Sequence, residues 1–166
     1  MSADNTKGAE IMRWWALTIA DRQSGRARAL SARLRRARGA EALAEPEVHD
    51  LARALGLTDG ARLAVLVSLL AQVKEHVPQS LARRLGGDPP ILSTLRFQRL
   101  MRADGDELPE ALRRAIGMAE GRCNVASLGL DILHWGEAVR ARWCFHYFGA
   151  EAPQPTPESA AEEISE

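Results

Sequence analysis

The sequence predicts an all-α fold, and three observations lead to this prediction. Alanine, leucine and arginine dominate residues 1–149, and all three residue types favour helices. β-Branched residues are sparse there, and no run alternates apolar and polar residues with the period of two that marks a strand. Apolar residues instead recur at helical spacing between glycine and proline breaks. With 166 residues, the chain is long enough for one ordinary domain or two small ones that pack together.

Local signals justify each helix in turn. In chain order, the predicted helices lie before Ser24-Gly25, at about 26–38, from Pro46 to Gly56, over LAVLVSLLAQV at 63–73, from Pro78 to Gly86-Gly87, over RFQRLMRA, over DELPEALRRAIGMA, after Asn124, and over EAVRARWCFHYF. Gly39 can stop the second helix, and Pro46 suits the first turn of the third. Thr58 and Asn124 are expected N-caps, while Gly136 separates the last two helices. The run at 63–73 is too short to span a bilayer and predicts a buried helix.

The clearest break in the chain is the stretch GGDPP at 86–90. We therefore predict two packed helical bundles, an N-terminal one at 1–87 and a C-terminal one at 91–149. The remaining residues, 150–166, alternate Pro153, Pro155 and Pro157 and contain few large apolar side chains. This composition predicts a disordered acidic tail.

Charge is unevenly distributed along the chain. The formal net charge is zero, with 22 basic and 22 acidic residues. Five acids and no bases lie at the C-terminus, namely Glu151, Glu158, Glu162, Glu163 and Glu166. Setting these aside leaves 17 acids against 22 bases, so residues 1–150 carry about +5. Nearly all the bases are arginine, whose planar guanidinium matches phosphate oxygens.

Two arginine patterns indicate a polyanionic partner. Between Arg22 and Arg38 lie seven arginines without an intervening acid, and a solvated helix normally mixes the two signs. In RFQRLMRAD, at 96–104, arginines recur at every third position and share one arc of a helix opposite an apolar arc. Concentrating one sign of charge costs folding stability, so phosphate binding is the more economical interpretation.

Enzymatic and metal-binding signals are weak. The sequence contains no GxxxxGK[ST], GxSxG or HExxH motif. Cys144 and His146, joined by Cys123 and His134, form the sharpest candidate metal set, but their spacing matches no familiar zinc pattern. We predict no enzyme activity, no metal and no cofactor. The two unpaired cysteines and the absence of an apolar signal core at the N-terminus predict a cytoplasmic protein.

Several stretches together resemble a known family. In order, the chain has a Trp-containing first helix, the pattern GxxxAL followed by LRRAR, then RFQRLMRAD, LRRAI, NVASLGLDILHW and RARWCFHYF. This order and spacing, within residues 11–148, resemble the CasB family, the small subunit of the type I-E CRISPR effector complex Cascade. The acidic tail has no counterpart in the family pattern.

The resemblance implies a non-enzymatic helical protein, present as two copies beside the backbone and large subunits of the complex. Its basic surfaces would hold phosphates of the guide RNA and of opened target DNA, especially the displaced strand. The resemblance assigns this role to Arg35, Arg36, Arg96, Arg99, Arg102, Arg113 and Arg114. Charge alone adds Arg26 and Arg28. No membrane partner is expected.

Two other functions remain open from the sequence. One is a helix-turn-helix-like DNA-binding regulator, with Gly25 at the turn and the second helix as reader. A reading helix usually offers Asn, Gln or Ser beside its arginines, and here Ser31 is alone. The other is a protein-only helical scaffold whose arginines pair with acidic partners.

Overall fold

The computed structural model describes residues 3–150. Its helices and strands, in chain order, are α1 (Ala3–Thr18), α2 (Gly25–Arg36), a 3-10 helix (Gly39–Ala44), α3 (Pro46–Leu55), α4 (Gly60–Leu70), β1 (Glu75–His76), α5 (Leu81–Leu85), α6 (Thr94–Arg102), α7 (Glu107–Met118), β2 (Arg122–Cys123), α8 (Val125–Leu133) and α9 (Glu137–Tyr147). The all-α prediction is therefore confirmed. No helix in the described part of the chain is both long enough and apolar enough to span a membrane.

The ends of the helices follow local capping chemistry. Pro46 lies in the first turn of α3, and Gly56 ends α3 in the left-handed conformation, as expected. Asn124 caps α8, because its side-chain oxygen accepts a hydrogen bond from the Ser127 backbone N–H at 3.0 Å. The predicted cap Thr58 is wrong by one residue. Asp59 caps α4 instead, and accepts from the backbone N–H of Arg62.

Three further boundaries differ from the predictions. The first helix ends at Thr18 rather than near Ser24, and Ser24 instead caps α2 by accepting from the Ala27 N–H at 3.2 Å. Helix α5 begins after Ser80 rather than at Pro78, because the Ser80 hydroxyl accepts from the N–H of Arg83. The 3-10 helix at Gly39–Ala44 was not predicted, because its six residues, GAEALA, are too few to show a helical repeat of apolar residues.

Helix α4 is the centre of the hydrophobic core. Residues around nearly its whole circumference are buried, and Leu66, Val67, Leu69 and Leu70 are completely inaccessible to solvent. The helices α2, α3, α7 and α8 and the 3-10 helix contact it. A helix that is apolar all round must be covered on every side, so α4 fixes the positions of its neighbours.

The two predicted halves of the chain contact each other extensively. Helix α8, from the second half, packs against both α1 and α4 from the first half. A single cluster of buried side chains runs from Ile11 to Tyr147. The division of the chain into bundles at 1–87 and 91–149 stays a prediction. Of the predicted tail at 150–166, only Ala150 lies within the described residues.

Two short strands join the halves on one side. β1 and β2 pair in parallel, with Glu75 opposite Arg122 and His76 opposite Cys123. The carboxylate of Glu75 forms an ion pair with Nε of Arg122 at 2.9 Å. Strands of two residues leave no alternating pattern to detect, which is why the sequence did not predict them.

The end of α9 lies against α5 and α6. A Cβ added to Gly86 would lie 2.0 Å from the backbone oxygen of Tyr147, so this contact requires glycine. The Tyr147 ring stacks on Phe97 of α6, with centroids 4.0 Å apart and planes at 6°. Offset or stacked aromatic pairs stabilise a contact beyond the area that they bury. This stack fixes the buried side of α6.

A buried carboxylate links α8 to α9. Asp131 is 6% exposed, and its Oδ2 accepts from the indole N–H of Trp143 at 2.7 Å. The guanidinium of Arg142 contacts its other oxygen. Burial raises the pKa of Asp131, and the hydrogen bond from Trp143 and the charge of Arg142 partly offset this effect.

We expect Gly86→Ala to destabilise the fold, because the added methyl group would overlap the Tyr147 carbonyl. Overpacking of this kind typically costs about 1–3 kcal/mol. Gly117→Ala is the matched control, since Gly117 lies within α7 and an added Cβ meets no atom within 4 Å. The control should gain up to about 1 kcal/mol. Urea unfolding followed by circular dichroism measures both. Equal stability of the two variants would contradict the close contact.

We also expect a pH dependence that arises from Asp131. A carboxyl group with a raised pKa binds more protons in the folded state, so its contribution to stability is present below the unfolded pKa, about 3.9, and is lost as pH rises through the folded pKa. Asp131→Asn removes this titration. The free energy of unfolding of the parent, relative to the variant, should therefore fall as pH rises from below the unfolded pKa of about 3.9 through the folded pKa of Asp131. A flat or rising difference would contradict the raised pKa.

Candidate nucleic-acid interface

Helix α6 presents three arginines on its outer surface. The Ser93 hydroxyl caps the helix by accepting from the Arg96 N–H at 3.3 Å, and Phe97 and Leu100 are buried. At about 100° per residue, Arg96, Arg99 and Arg102 share an arc of about 120° on the opposite side. All three are exposed. We call them the α6 arginine face.

The α6 arginine face has no internal counter-charge. Among residues 3–150, no carboxylate forms an ion pair with Arg96, Arg99 or Arg102, and none of their guanidinium groups donates a hydrogen bond. Arg99 and Arg102 lie in the last turn of α6, where a positive charge suits the helix dipole. That explanation does not extend to Arg96, which lies in the first turn.

A second group of arginines meets where the end of α2 faces α7. We call Arg35, Arg36, Arg38, Arg113 and Arg114 the α2–α7 junction. The guanidinium of Arg113 donates to the backbone oxygen of Arg35 and, at 3.2 Å, to the hydroxyl of Ser68 on α4. Nε of Arg38 lies 3.6 Å from a carboxylate oxygen of Glu110. Burial, followed by the charge of Arg38, lowers the pKa of Arg113.

The members of the junction therefore differ in what their side chains do. Arg113 holds α7 against α2 and α4, and a phosphate could engage it only by displacing those bonds. Arg35 is half-buried, with a long 3.5 Å contact to Ser31. Arg36 and Arg114 are exposed and make no side-chain contact to a charged or polar group among residues 3–150.

The arginines at the start and middle of α2 bind oxygens of the protein itself. Nη2 of Arg26 lies 3.0 Å from a carboxylate oxygen of Glu47, and Arg33 binds Glu45 through two bonds of 2.6 and 3.0 Å. The pKa of Glu47 is lowered, first by a hydrogen bond from its own backbone N–H and then by Arg26. Arg28 donates to the backbone oxygen of Arg22 at 2.8 Å and closes the turn before α2.

These pairs correct the charge argument for residues 22–38. The run contains no acid in sequence, yet three of its arginines find acids in the folded chain. Arg38 pairs with Glu110 of α7. Glu45 and Glu47 lie 12 and 21 residues from their partners, at the start of α3, where acids also suit the helix dipole. Sequence reasoning missed Glu45 and Glu47, and it also missed Ser68 as the partner of Arg113. No local spacing signals a contact at such separations.

The described residues contain no arrangement that suggests catalysis. The Ser80 hydroxyl lies 3.0 Å from Nδ1 of His146. The same hydroxyl accepts a hydrogen bond from the Arg83 N–H and caps α5, so Ser80 has a structural role. No group of three or more His, Cys, Asp or Glu side chains within 3–150 is placed to hold a metal ion. Cys123 is buried, and burial raises the pKa of its thiol to about 12.

Comparison with known proteins identifies similar sequences and a similar structure. The family model of CRISPR-associated protein Cse2 matches residues 30–148. The chain is 31% identical over 122 residues, 71% of its length, to CRISPR-associated protein Cse2 of Thermus thermophilus, and the match spans 66% of that protein. The crystal structure of CasB from Thermus thermophilus has a TM-score of 0.67 and 25% identity, and the match covers 86% of this chain and 98% of that chain.

The comparisons confirm the resemblance inferred from the sequence. The matched range, 30–148, contains the α6 arginine face and the α2–α7 junction. It leaves out Arg26 and Arg28, the two positions that were assigned on charge alone.

We expect Arg113 and Arg114 to differ sharply on substitution, although they are neighbours in sequence. Arg113→Ala removes a charged donor from two partly buried acceptors, at a cost of about 1.5–3 kcal/mol. Arg114→Ala should change the free energy of unfolding by no more than about 0.5 kcal/mol, because its side chain is exposed and makes no such bonds. Urea unfolding measures both. Equal costs for the two variants would show that Arg113 does not hold the junction.

Proposed function

The chain belongs to the CRISPR-associated Cse2 family, and from this premise we propose that it is a non-catalytic small subunit of a type I-E Cascade complex. In this role it binds nucleic-acid phosphates and stabilises the opened target DNA, above all the displaced strand. Its partners are the backbone and large subunits, the guide RNA, the target DNA and a second copy of itself. The site of action is the cytoplasm, and the function is antiviral defence.

One observation carries this proposal, namely the unpaired charge of the α6 arginine face. Three guanidinium groups with no carboxylate partner in the described chain lie along one helix. The rise per residue places successive arginines about 4.5 Å apart along the helix axis, so the three charges form a row along one side of α6. Arginine binds phosphate oxygens through two parallel hydrogen bonds. Such a row holds a backbone without reading a base.

This kind of binding suits guide-directed recognition. Pairing between guide and target reads the sequence, and exchange of a DNA duplex for an RNA–DNA duplex is close to balanced in free energy. A subunit that holds the displaced strand tips this balance towards the open state. Because the contacts are to phosphates, the effect is the same for every target sequence.

The proposed contacts fall into four groups. The α6 arginine face makes the main contacts, and Arg36 and Arg114 at the α2–α7 junction extend them. Arg35 contributes at the edge of the junction. Arg26, Arg28 and Arg113 remain proposed contacts of the weakest kind, because each guanidinium already binds an oxygen of the protein. A phosphate has to compete with that oxygen.

The two other functions fit the geometry less well. A helix-turn-helix regulator needs free side chains on its reading helix, whereas Arg26 and Arg33 of α2 bind Glu47 and Glu45. A protein-only scaffold needs its arginines to bind acidic partners, and it predicts no nucleic-acid binding at low salt. A binding assay with single-stranded DNA distinguishes this scaffold from the proposed function.

We expect replacement of Arg96, Arg99 and Arg102 by alanine to weaken binding of single-stranded DNA, to a similar degree for all sequences. Each lost phosphate contact should lower the slope of log affinity against log salt by roughly 0.7, so three contacts lower it by roughly 2. A salt titration monitored by fluorescence anisotropy measures the slope, and circular dichroism checks the fold. In the assembled complex, the R-loop should be less stable.

The matched control removes three positive charges elsewhere. Arg13, Arg22 and Arg53 are exposed and lie outside both arginine clusters. Their replacement by alanine changes the net charge by the same amount and should lower the salt slope much less. Equal losses in both triple variants would mean that total charge, and not the α6 arginine face, governs binding. An unchanged slope in the α6 variant would exclude this face as a phosphate site.

A further inference from the structure

The α6 arginine face surrounds an apolar residue that phosphate binding does not explain. Leu95 is 55% exposed, although it lies on a helix whose other large aliphatic and aromatic residues face the core. On a helical projection Leu95 lies about 20° from Arg102 and about 40° from Arg99, within the arginine arc itself. A row of arginines around an exposed leucine fits an acidic peptide that carries one apolar side chain.

The chain contains such a peptide. The last residues of the acidic tail read AEEISE, in which Ile164 is flanked by Glu162, Glu163 and Glu166. Ile164 is the only large aliphatic or aromatic residue after Ala150. No basic residue lies in the tail, and the α6 arginine face lacks acidic partners among residues 3–150. Charge and apolar character are therefore complementary between the two segments.

The point at which the tail begins is next to α6. The rings of Phe148 and Phe97 contact each other with centroids 6.5 Å apart, and Arg83 donates to the backbone oxygen of Ala150 at 3.3 Å. From Ala150 to Ile164 the chain spans up to about 46 Å when extended. Half the circumference of a helix with its side chains is about 16–19 Å, so the tail can pass around α6 to its outer side.

We propose that residues 158–166 bind the outer side of α6 within the same molecule, with Ile164 on Leu95 and the glutamates on Arg96, Arg99 and Arg102. Each exposed ion pair is weak, but attachment to the same chain provides an effective concentration in the millimolar range. The contact between the tail and α6 is sensitive to salt. The proposal does not depend on whether the same arginines bind nucleic acid. If they do, the tail competes with phosphates for them.

The test is zero-length cross-linking of the isolated full-length protein in the absence of nucleic acid. Arg99→Lys provides an amine on α6 that a carbodiimide joins to a glutamate of the tail. Lys7 and Lys74, the only native lysines, serve as internal references, and Arg13→Lys at an exposed position of α1 is the matched control variant. Mass spectrometry of tryptic peptides quantifies each linkage, and gel filtration isolates the monomer before digestion.

The expected result is a linkage within the monomer between the tail peptide and the lysine introduced by Arg99→Lys. Its yield should exceed that of the reference lysines by about fivefold or more, given the millimolar effective concentration of a bound tail. Leu95→Ser or Ile164→Ser should lower this yield, and high salt should abolish it. Circular dichroism confirms that the Leu95→Ser variant is folded.

Two results would overturn the proposal. Equal linkage to the lysines introduced by Arg99→Lys and Arg13→Lys would show that the tail samples the surface without preference. Linkage found only in dimers would assign the outer side of α6 to the tail of a second copy. Neither result bears on phosphate binding, because the salt titration of the triple-arginine variant tests that function independently.

Discussion

The burial of α4 is the constraint on which the rest of the structure depends. Its sequence, GARLAVLVSLL, offers no continuous polar side, so the surrounding elements must each turn an apolar side towards it. The arginines of α2 and α7 are thereby directed to the edges of the contact and outward. Ser68 is the polar exception on α4, and Arg113 reaches inward to bind it. The α2–α7 junction is thus a consequence of how α4 is covered.

Local patterns account for what the sequence predicted correctly. The alternation of apolar and arginine residues on α6, the Asn124 cap and the ends of α3 depend on residues within one or two turns. Apart from the shifted helix boundaries and the 3-10 helix, the errors concern contacts between distant residues. Arg33 binds Glu45 across 12 residues, Arg26 binds Glu47 across 21 and Arg113 binds Ser68 across 45. Each of these contacts exists only because helix packing brings the two segments together, and no short spacing encodes it.

These contacts show that a dense run of arginines in the sequence need not leave those arginines free to bind a partner. The α2 region has the denser arginine sequence, yet Arg26, Arg33 and Arg38 have carboxylate partners, and Arg28 binds a backbone oxygen. The shorter α6 segment retains its charge, because no carboxylate among residues 3–150 forms an ion pair with Arg96, Arg99 or Arg102. All three charges of the α6 segment are therefore available to a partner outside the protein, whereas three of the seven in the α2 region are paired within it. Linear charge density alone is a poor guide to an electrostatic interface.

The packing of α6 explains how the helix tolerates like charges. Repulsion between arginines three residues apart costs a few tenths of a kcal/mol per pair, so Arg96–Arg99 and Arg99–Arg102 together cost about 1 kcal/mol at most. Burial of Phe97 stabilises the helix by roughly 1.5–3 kcal/mol, and the stack on Tyr147 adds about 0.5–1.5 kcal/mol. The stabilisation from the burial and stacking of Phe97 therefore exceeds the repulsion between the arginines. A row of charges held in place by its own buried side needs no partner in order to form, so it is organised before any polyanion arrives.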